Sequence, residues 1–155
     1  MTEDPTTDRA LGCLFGLAVG DALGTTLEFA TRDARPHLTD MVGGGPFGLR
    51  PGEWTDDTSM ALCLADCLIA CGELDQGDLM ERFVRWWQEG ENSHSGRCFD
   101  IGTTTQRALQ RFIETGDPVA GATDPGTAGN GSVMRLAPVA LRWADNAEQA
   151  ILLGG

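Results

Sequence analysis

Apolar residues recur at helical spacing through most of this 155-residue chain, and that pattern limits the possible folds more than any other feature. The spacing predicts four long helices, over residues 7–23, 55–71, 77–88 and 103–114. Glycine follows three of them, as is typical where a helix ends, at Gly72, Gly90 and Gly116. Two shorter helices are predicted, one from about Ser132 with a bend at Pro138 and one over residues 147–153. No stretch alternates as a strand would, so we expect an all-α, multi-helix fold in one domain over residues 1–155.

The charge of the chain narrows the classes of partner. Asp and Glu number 23 against 11 arginines, there is no lysine, and the net charge is −12. Such a chain repels nucleic acid and anionic membranes and attracts cations. No run of 18 consecutive apolar residues is present, and the start of the chain is acidic and polar rather than signal-like. We therefore expect a cytoplasmic protein without a membrane span.

Two rows of small residues recur every four positions. Gly12, Gly16, Gly20 and Gly24 follow one side of the first helix, which predicts close packing of another backbone there, and an apolar stripe including Leu11 and Phe15 predicts a buried face. Cys63, Cys67 and Cys71 follow one side of the second helix. Neighbouring cysteines in such a row can bind metal or pair, but packing along a helix seam is the more common role.

The strongest candidate for chemistry is Thr55-Asp56-Asp57-Thr58, which opens the second helix. One interpretation is ordinary helix-start chemistry, with Thr55 as the N-cap and acids in the first turn. The other is a divalent-cation site, because several hard oxygen ligands lie together. Adjacent helical residues point about 100° apart. Asp56 and Asp57 would therefore hold separate ions, or one of them would bridge two.

Three further clusters lie at helix ends. Asp21 and Glu28 follow the glycine-rich first helix, and Asp100 precedes Gly102 and a threonine-rich first turn. The stretch 129–132 leads into the fifth helix, where free backbone amides can bind phosphate, although the Gly-Lys-Ser/Thr ending of a Walker A loop is missing. Solvated acids and simple caps explain each cluster separately. Together the clusters suggest one site for a divalent cation and a phosphate-bearing ligand.

Five motifs in this order resemble the ADP-ribosylglycohydrolases, over about residues 9–145. They are the stretches 12–24, 28–29, 54–60, 100–102 and 129–135. The resemblance implies an all-α fold, a binuclear Mg²⁺ or Mn²⁺ site, and hydrolysis of an ADP-ribosyl bond to a protein side chain or small molecule. It implies metal ligands at Thr55, Asp56 and Asp57, and catalytic roles for Glu28 and Asp100. It also implies an ADP-ribose cleft lined by Gly102, Gly129, Asn130, Gly131 and Ser132.

One departure from the family pattern concerns the second set of metal ligands. Family members carry an Asp-x-Asp-Thr motif towards the C-terminal end, and these 155 residues contain none. We therefore expect that the missing ligands come from a second chain or a missing C-terminal half, with little turnover by this chain alone. The alternative is a non-catalytic ADP-ribose or nucleotide-binding module, or an inactive fragment. A different Mg²⁺-dependent hydrolase acting on a phosphorylated substrate is a third hypothesis, for which no phosphatase signature is found.

Overall fold

Helix dominates the computed structural model, which describes residues 4–31, 33 and 37–154. The seven α-helices of these residues are α1 (Pro5–Gly24), α2 (Asp56–Cys71), α3 (Gln76–Glu89), α4 (Thr103–Thr115), α5 (Gly131–Met134), α6 (Ala137–Arg142) and α7 (Ala147–Gly154). The described residues contain no strand, and Gly44 and Leu49 form a single isolated antiparallel bridge. The all-α prediction is confirmed. Residues 1–3, 32, 34–36 and 155 lie outside the described residues.

The centre of the fold is α2, which packs against α1, α3, α5 and α6. One buried cluster joins it to α3 and α4, and consists of Met60, Cys63, Phe83, Trp86 and Leu109. A second cluster, of Leu64, Leu68 and Val139, joins it to α6. Because α2 packs in both buried clusters, the residues of its first turn are held in a fixed position relative to α3, α4 and α6.

Glycines end the helices as predicted. Gly72, Gly90 and Gly116 have φ values of 75°, 77° and 72°, and each donates its amide to a carbonyl four residues earlier. This left-handed conformation favours glycine. The predicted fifth helix is instead two pieces, because α5 ends at Met134 and α6 starts at Ala137 with Pro138 in its first turn. Proline interrupts the helix there rather than bending it.

The described residues do not supply the packing predicted for the faces of α1. Phe15 is 66% exposed, Leu11 and Val19 are about half exposed, and only Ala22 of this helix is buried. A Cβ added at any of the four glycines of its row would meet nothing within 4 Å among the described residues. The physical reason is that the described chain packs little against this helix.

An apolar groove of about 330 Å³ runs between α1 and α2. Its lining includes Leu14, Phe15, Ala18 and Leu62. By length and composition alone, residues Pro5–Leu27 are also long and apolar enough to cross a membrane, a test that core helices of soluble proteins also pass. The absence of a membrane span therefore stays a prediction.

Candidate metal and ligand site

The first turn of α2 is capped by a carboxylate from another helix. Asp21 of α1 accepts hydrogen bonds from the backbone amides of Thr55 (3.0 and 3.1 Å) and Thr58 (3.0 Å). It also accepts from the hydroxyls of both threonines, at 2.6 Å each. The amide of Thr58 is the third of the helix, which an N-cap side chain normally satisfies. Asp21 therefore does the work of the N-cap from across the fold.

Thr55 occupies the N-cap position, but its hydroxyl makes no capping bond to its own helix. The capping interpretation was right about the position of Thr55 and wrong about its side chain. The hydroxyl donates its proton to Asp21 instead, which leaves the lone pairs of its oxygen for a cation, and both Thr55 and Thr58 are almost completely buried. The two residues between them, Asp56 and Asp57, do not serve as caps, so their carboxylates are free for another role.

An acidic cleft of about 320 Å³ opens beside this turn. Its lining comes from the end of α1 and the start of α2, and includes Gly20, Gly24, Glu28, Thr55 and Asp57. The two last glycines of the α1 row thus face the cleft instead of a neighbouring backbone. A hydrogen bond from the Thr25 hydroxyl to Glu28 (3.5 Å) keeps the glutamate at this wall.

Four partly buried carboxylates in or beside the cleft have raised pKa values. Glu28 and Asp57 line the cleft, and Asp56 and Asp100 lie outside its lining. Burial raises the pKa of Asp56 to about 8, with Asp100 and Asp57 adding repulsion. Burial and then the charge of Glu28 raise the pKa of Asp100 to about 6. The pKa values of Asp57 and Glu28 are raised too, first by burial and next by Asp21 and Asp57 respectively. Mutual repulsion between partly buried acids is the arrangement that a divalent cation relieves.

The two adjacent aspartates face different neighbours, as their helical spacing predicts. Asp57 lines the acidic cleft, and Asp21 is the charge that raises its pKa most. For Asp56 the charge with the largest effect on the pKa is Asp100. Asp100 in turn feels Glu28 and Asp57. The carboxylates therefore form one cluster with two sides, which suits either one bridging ligand or two ions.

The loop that carries Glu28 is held in place by a run of three glycines, Gly43-Gly44-Gly45. Thr26 donates its buried hydroxyl to the carbonyl of Gly43 (3.1 Å). Gly45 has φ +65°, and a side chain there would collide with the backbone carbonyl of Thr25. Only glycine allows this contact, so the run positions the short 3₁₀ turn Thr25–Leu27 that precedes Glu28.

A second, smaller cavity of about 180 Å³ lies between the starts of α4 and α5. Three of the predicted ligand-binding residues line it, Gly129, Gly131 and Ser132, together with Thr104 and Thr105. The Thr104 hydroxyl donates to the Thr127 carbonyl at 3.2 Å, which ties the two segments together. Gly102 and Asn130, the N-cap residues of α4 and α5, are not in the lining of this cavity.

Arg135 is a candidate ligand-binding residue that the sequence does not single out, although it belongs to the motif 129–135. It lines the second cavity, and its guanidinium lies 4.8 Å from the centre of the Phe83 ring. Burial lowers its pKa, while the charge of Asp56 acts in the opposite direction. Arg135 thus joins the second cavity electrostatically to the acidic cluster. The available signal was a cation directly after a glycine-rich loop in a chain with few cations.

A row of aromatic rings was also missed. Phe29, Phe47, Phe99, His94 and Trp54 follow one another with ring centres 5.3–6.4 Å apart, all in edge contacts. His94 Nδ1 lies 2.8 Å from the Trp54 carbonyl, and the Trp54 indole donates to the Asn92 carbonyl at 3.3 Å. The row joins the segment before α2 to the segment between α3 and α4. Scattered single aromatics in loops carry no periodic signal.

Comparison with known proteins gives a consistent result. The sequence pattern of the ADP-ribosylglycohydrolase family matches residues 2–154. The ADP-ribosylarginine hydrolase Tri1 of Serratia proteamaculans is 56% identical over 139 residues, which are 90% of this chain and 38% of that protein. The ADP-ribosyl-[dinitrogen reductase] glycohydrolase of Rhodospirillum rubrum is 42% identical over 91% of this chain and 47% of its own length.

A solved structure described as an ADP-ribosylglycohydrolase-related protein complex has the same fold, with a TM-score of 0.74 and 48% identity. The match covers 87% of this chain and 42% of that one. The chain therefore spans less than half the length of these relatives. With a family match over nearly every residue and this structural agreement, the chain belongs to the ADP-ribosylglycohydrolase family.

Proposed function

We propose that the acidic cleft holds Mg²⁺ or Mn²⁺ and that the protein to which this chain contributes hydrolyses an ADP-ribosyl bond. The observation that supports this most directly is the convergence of Glu28, Asp56, Asp57 and Asp100 on the first turn of α2. Carboxylate and hydroxyl oxygens are the donors that these cations prefer. The metal ligands of this chain would be Thr55, Asp56 and Asp57. A bound cation would supply Lewis-acid polarisation of substrate oxygens and lower the pKa of a bound water.

Glu28 and Asp100 are the proposed acid–base groups. Asp100 is the strongest charged neighbour of Asp56, and a carboxyl group in this place can act as an acid or a base beside the cation. It can take a proton from an attacking water or give one to the leaving nitrogen or oxygen. Glu28, which lines the cleft, can orient the ribose hydroxyls.

The second cavity is the proposed site for the diphosphate of the substrate. Backbone groups around Gly129, Gly131 and Ser132 and the guanidinium of Arg135 face a space of about 180 Å³. Amide N–H groups and arginine are the usual donors to phosphate oxygens. Gly102 and Asn130 are proposed to shape the two chain turns that enter this cavity. The leaving group is proposed to be a protein side chain, and the Serratia relative is named as a hydrolase of ADP-ribosylarginine.

Completion of the site by further polypeptide forms part of the proposal. The chain supplies ligands from one side of the cleft, and its relatives are more than twice as long as the matched part. The exposed apolar face of α1 and the groove beside it offer a surface for further helices. The alternative function, a non-catalytic ADP-ribose-binding module, would use the second cavity without needing the full metal site.

The test is a chimera in which this chain replaces the 139 matching residues of the Serratia relative. We expect release of ADP-ribose from ADP-ribosylarginine only with Mg²⁺ or Mn²⁺. Replacing Asp56 and Asp57 together by Ala should abolish it, whereas Asp8→Ala should not, because Asp8 lies exposed at the far end of α1. A folded chimera that binds ADP-ribose without hydrolysis would favour the binding module, and unchanged turnover in the double variant would refute the metal assignment.

A further inference from the structure

Three potential metal ligands meet at the end of α2 that is remote from the acidic cleft. The Sγ atoms of Cys67 and Cys71 and a carboxylate oxygen of Asp78 lie within 4.8 Å of one another. The two cysteines are one turn apart on α2, and Asp78 lies in the first turn of α3. At 1.5 Å per residue, Cys71 is about 21 Å along the helix from Asp57. The cluster is therefore separate from the proposed catalytic site.

The cysteine row divides into members with different surroundings. Cys63 is fully buried in the main core beside Met60 and Phe83, as packing along a seam predicts. Cys67 is also buried, with its Sγ 3.4 Å from the carbonyl of Asp75, but Cys71 is exposed. A buried ligand next to an exposed one gives a metal ion both a fixed anchor and a path of entry.

The donor set selects the kind of metal. Two thiolates and one carboxylate suit Zn²⁺ and other thiophilic ions, whereas Mg²⁺ and Ca²⁺ prefer oxygen alone. Three protein ligands leave a fourth tetrahedral position for water. The C-terminal end of α2 adds the negative end of its helix dipole, which favours a cation close by.

Arg82 fixes the carboxylate and balances the charge. Its guanidinium donates to both oxygens of Asp78, at 2.6 and 3.3 Å, and this pairing lowers the pKa of Asp78. With a divalent ion bound, two thiolates, one carboxylate and one guanidinium make the cluster electrically neutral. Because cysteine binds metal as the thiolate, binding releases protons and strengthens as the pH rises.

We propose that Cys67, Cys71 and Asp78 form a site for one Zn²⁺ ion at the junction of α2 and α3, with water as the fourth ligand. Such an ion would clamp the two helices next to the loop that joins them. The proposal does not depend on the function proposed for the acidic cleft.

The test is a Cd²⁺ titration of the phosphine-reduced chain in excess Mg²⁺, followed by sulfur-to-cadmium charge-transfer absorption. Only sulfur ligation gives this band, so Cd²⁺ held by the acidic cleft does not register. We expect one equivalent to bind and Zn²⁺ to displace it. Cys71→Ser, at an exposed position, should weaken Cd²⁺ binding by at least about 100-fold. Mutation of residues that only hydrogen-bond to a metal ligand commonly lowers metal affinity by about 10–100-fold, and loss of a ligand itself should cost more. Asp78→Asn should weaken it by about 10-fold.

Cys13→Ser is the matched control, because Cys13 lies half-buried on α1 away from the cluster. It should leave the band and the affinity unchanged. Absence of the band in the unmodified chain would overturn the proposal. So would equal binding by folded Cys71→Ser, or an equal loss in Cys13→Ser.

Discussion

Removal of the Asp21 carboxylate should destabilise the chain, although Asp21 belongs to a crowded set of negative charges. Asp21→Ala takes away the acceptor for two amides and two hydroxyls of Thr55 and Thr58. These residues are only 4% and 6% exposed, so their donors would be left with poor access to water. Loss of a helix cap costs about 1 kcal/mol. Each buried donor left without a partner costs about 1–3 kcal/mol.

Adding the cap cost to the cost of every unpaired donor would overstate the loss of stability in Asp21→Ala, for two reasons. The neighbouring cleft of about 320 Å³ is open, so water can reach some of the freed donors. The change also relieves repulsion with Asp57, Glu28 and Asp100. We therefore expect a net loss of about 2–3 kcal/mol, or a fall in Tm of about 4–12 °C for a chain of this size.

The assay is thermal unfolding followed by circular dichroism at pH 7 with a chelator. Asp57→Asn is the matched control, because it removes a charge from the same cluster without removing the cap of α2. It should leave Tm unchanged or raise it. An unchanged or higher Tm in Asp21→Ala, or an equal fall in both variants, would refute the reasoning that hydrogen bonds outweigh repulsion at Asp21.

Three further outcomes are expected. Gly45→Ala should lower Tm by several degrees in the same assay, because its side chain meets the Thr25 carbonyl at positive φ, whereas Gly12→Ala should not, since open space surrounds Gly12. Without metal, the raised pKa values of Asp100 (about 6) and Asp56 (about 8) mean that the contribution of these two groups to stability is full at about pH 4 and below, falls as the pH rises, and levels off above about 6 for Asp100 and about 8 for Asp56; Mn²⁺ should flatten this profile. Phe15→Ser should lower binding of a hydrophobic dye to the exposed face of α1 with little loss of Tm, and an unchanged dye signal would contradict the open groove.

The helices and their ends could be predicted because they depend on local pattern. Apolar spacing and the three terminal glycines fix α2, α3 and α4 within one or two residues. Burial on α1 could not be predicted, because an apolar stripe does not say whether anything in the same chain packs against it. The break between α5 and α6 could not be predicted, because a proline can either bend a continuous helix or occupy the first turn of a new one. Pro138 does the second.

Site residues could be predicted where they belong to motifs at helix starts. They were harder to predict where they come together through contacts between residues distant in sequence. Glu28, Asp57 and Thr55 do line one cleft, while their roles as ligand or acid stay predictions. Asp21 was grouped with Glu28 as an acid, and its capping of α2 appears only when residues 34 positions apart in sequence meet. Arg135 and the aromatic row also depend on long-range packing.

The central claim is that the cluster at the start of α2 binds a divalent cation, and Mn²⁺-induced broadening of amide NMR signals tests it most directly. The paramagnetic ion acts on nearby amides even when it binds weakly, as half a ligand set would. Selective loss of the signals of residues 55–58, Glu28 and Asp100 at substoichiometric Mn²⁺, abolished by Asp56→Asn with Asp57→Asn, is the predicted result. Uniform broadening along the chain, or the same selective pattern in the double variant, would contradict it.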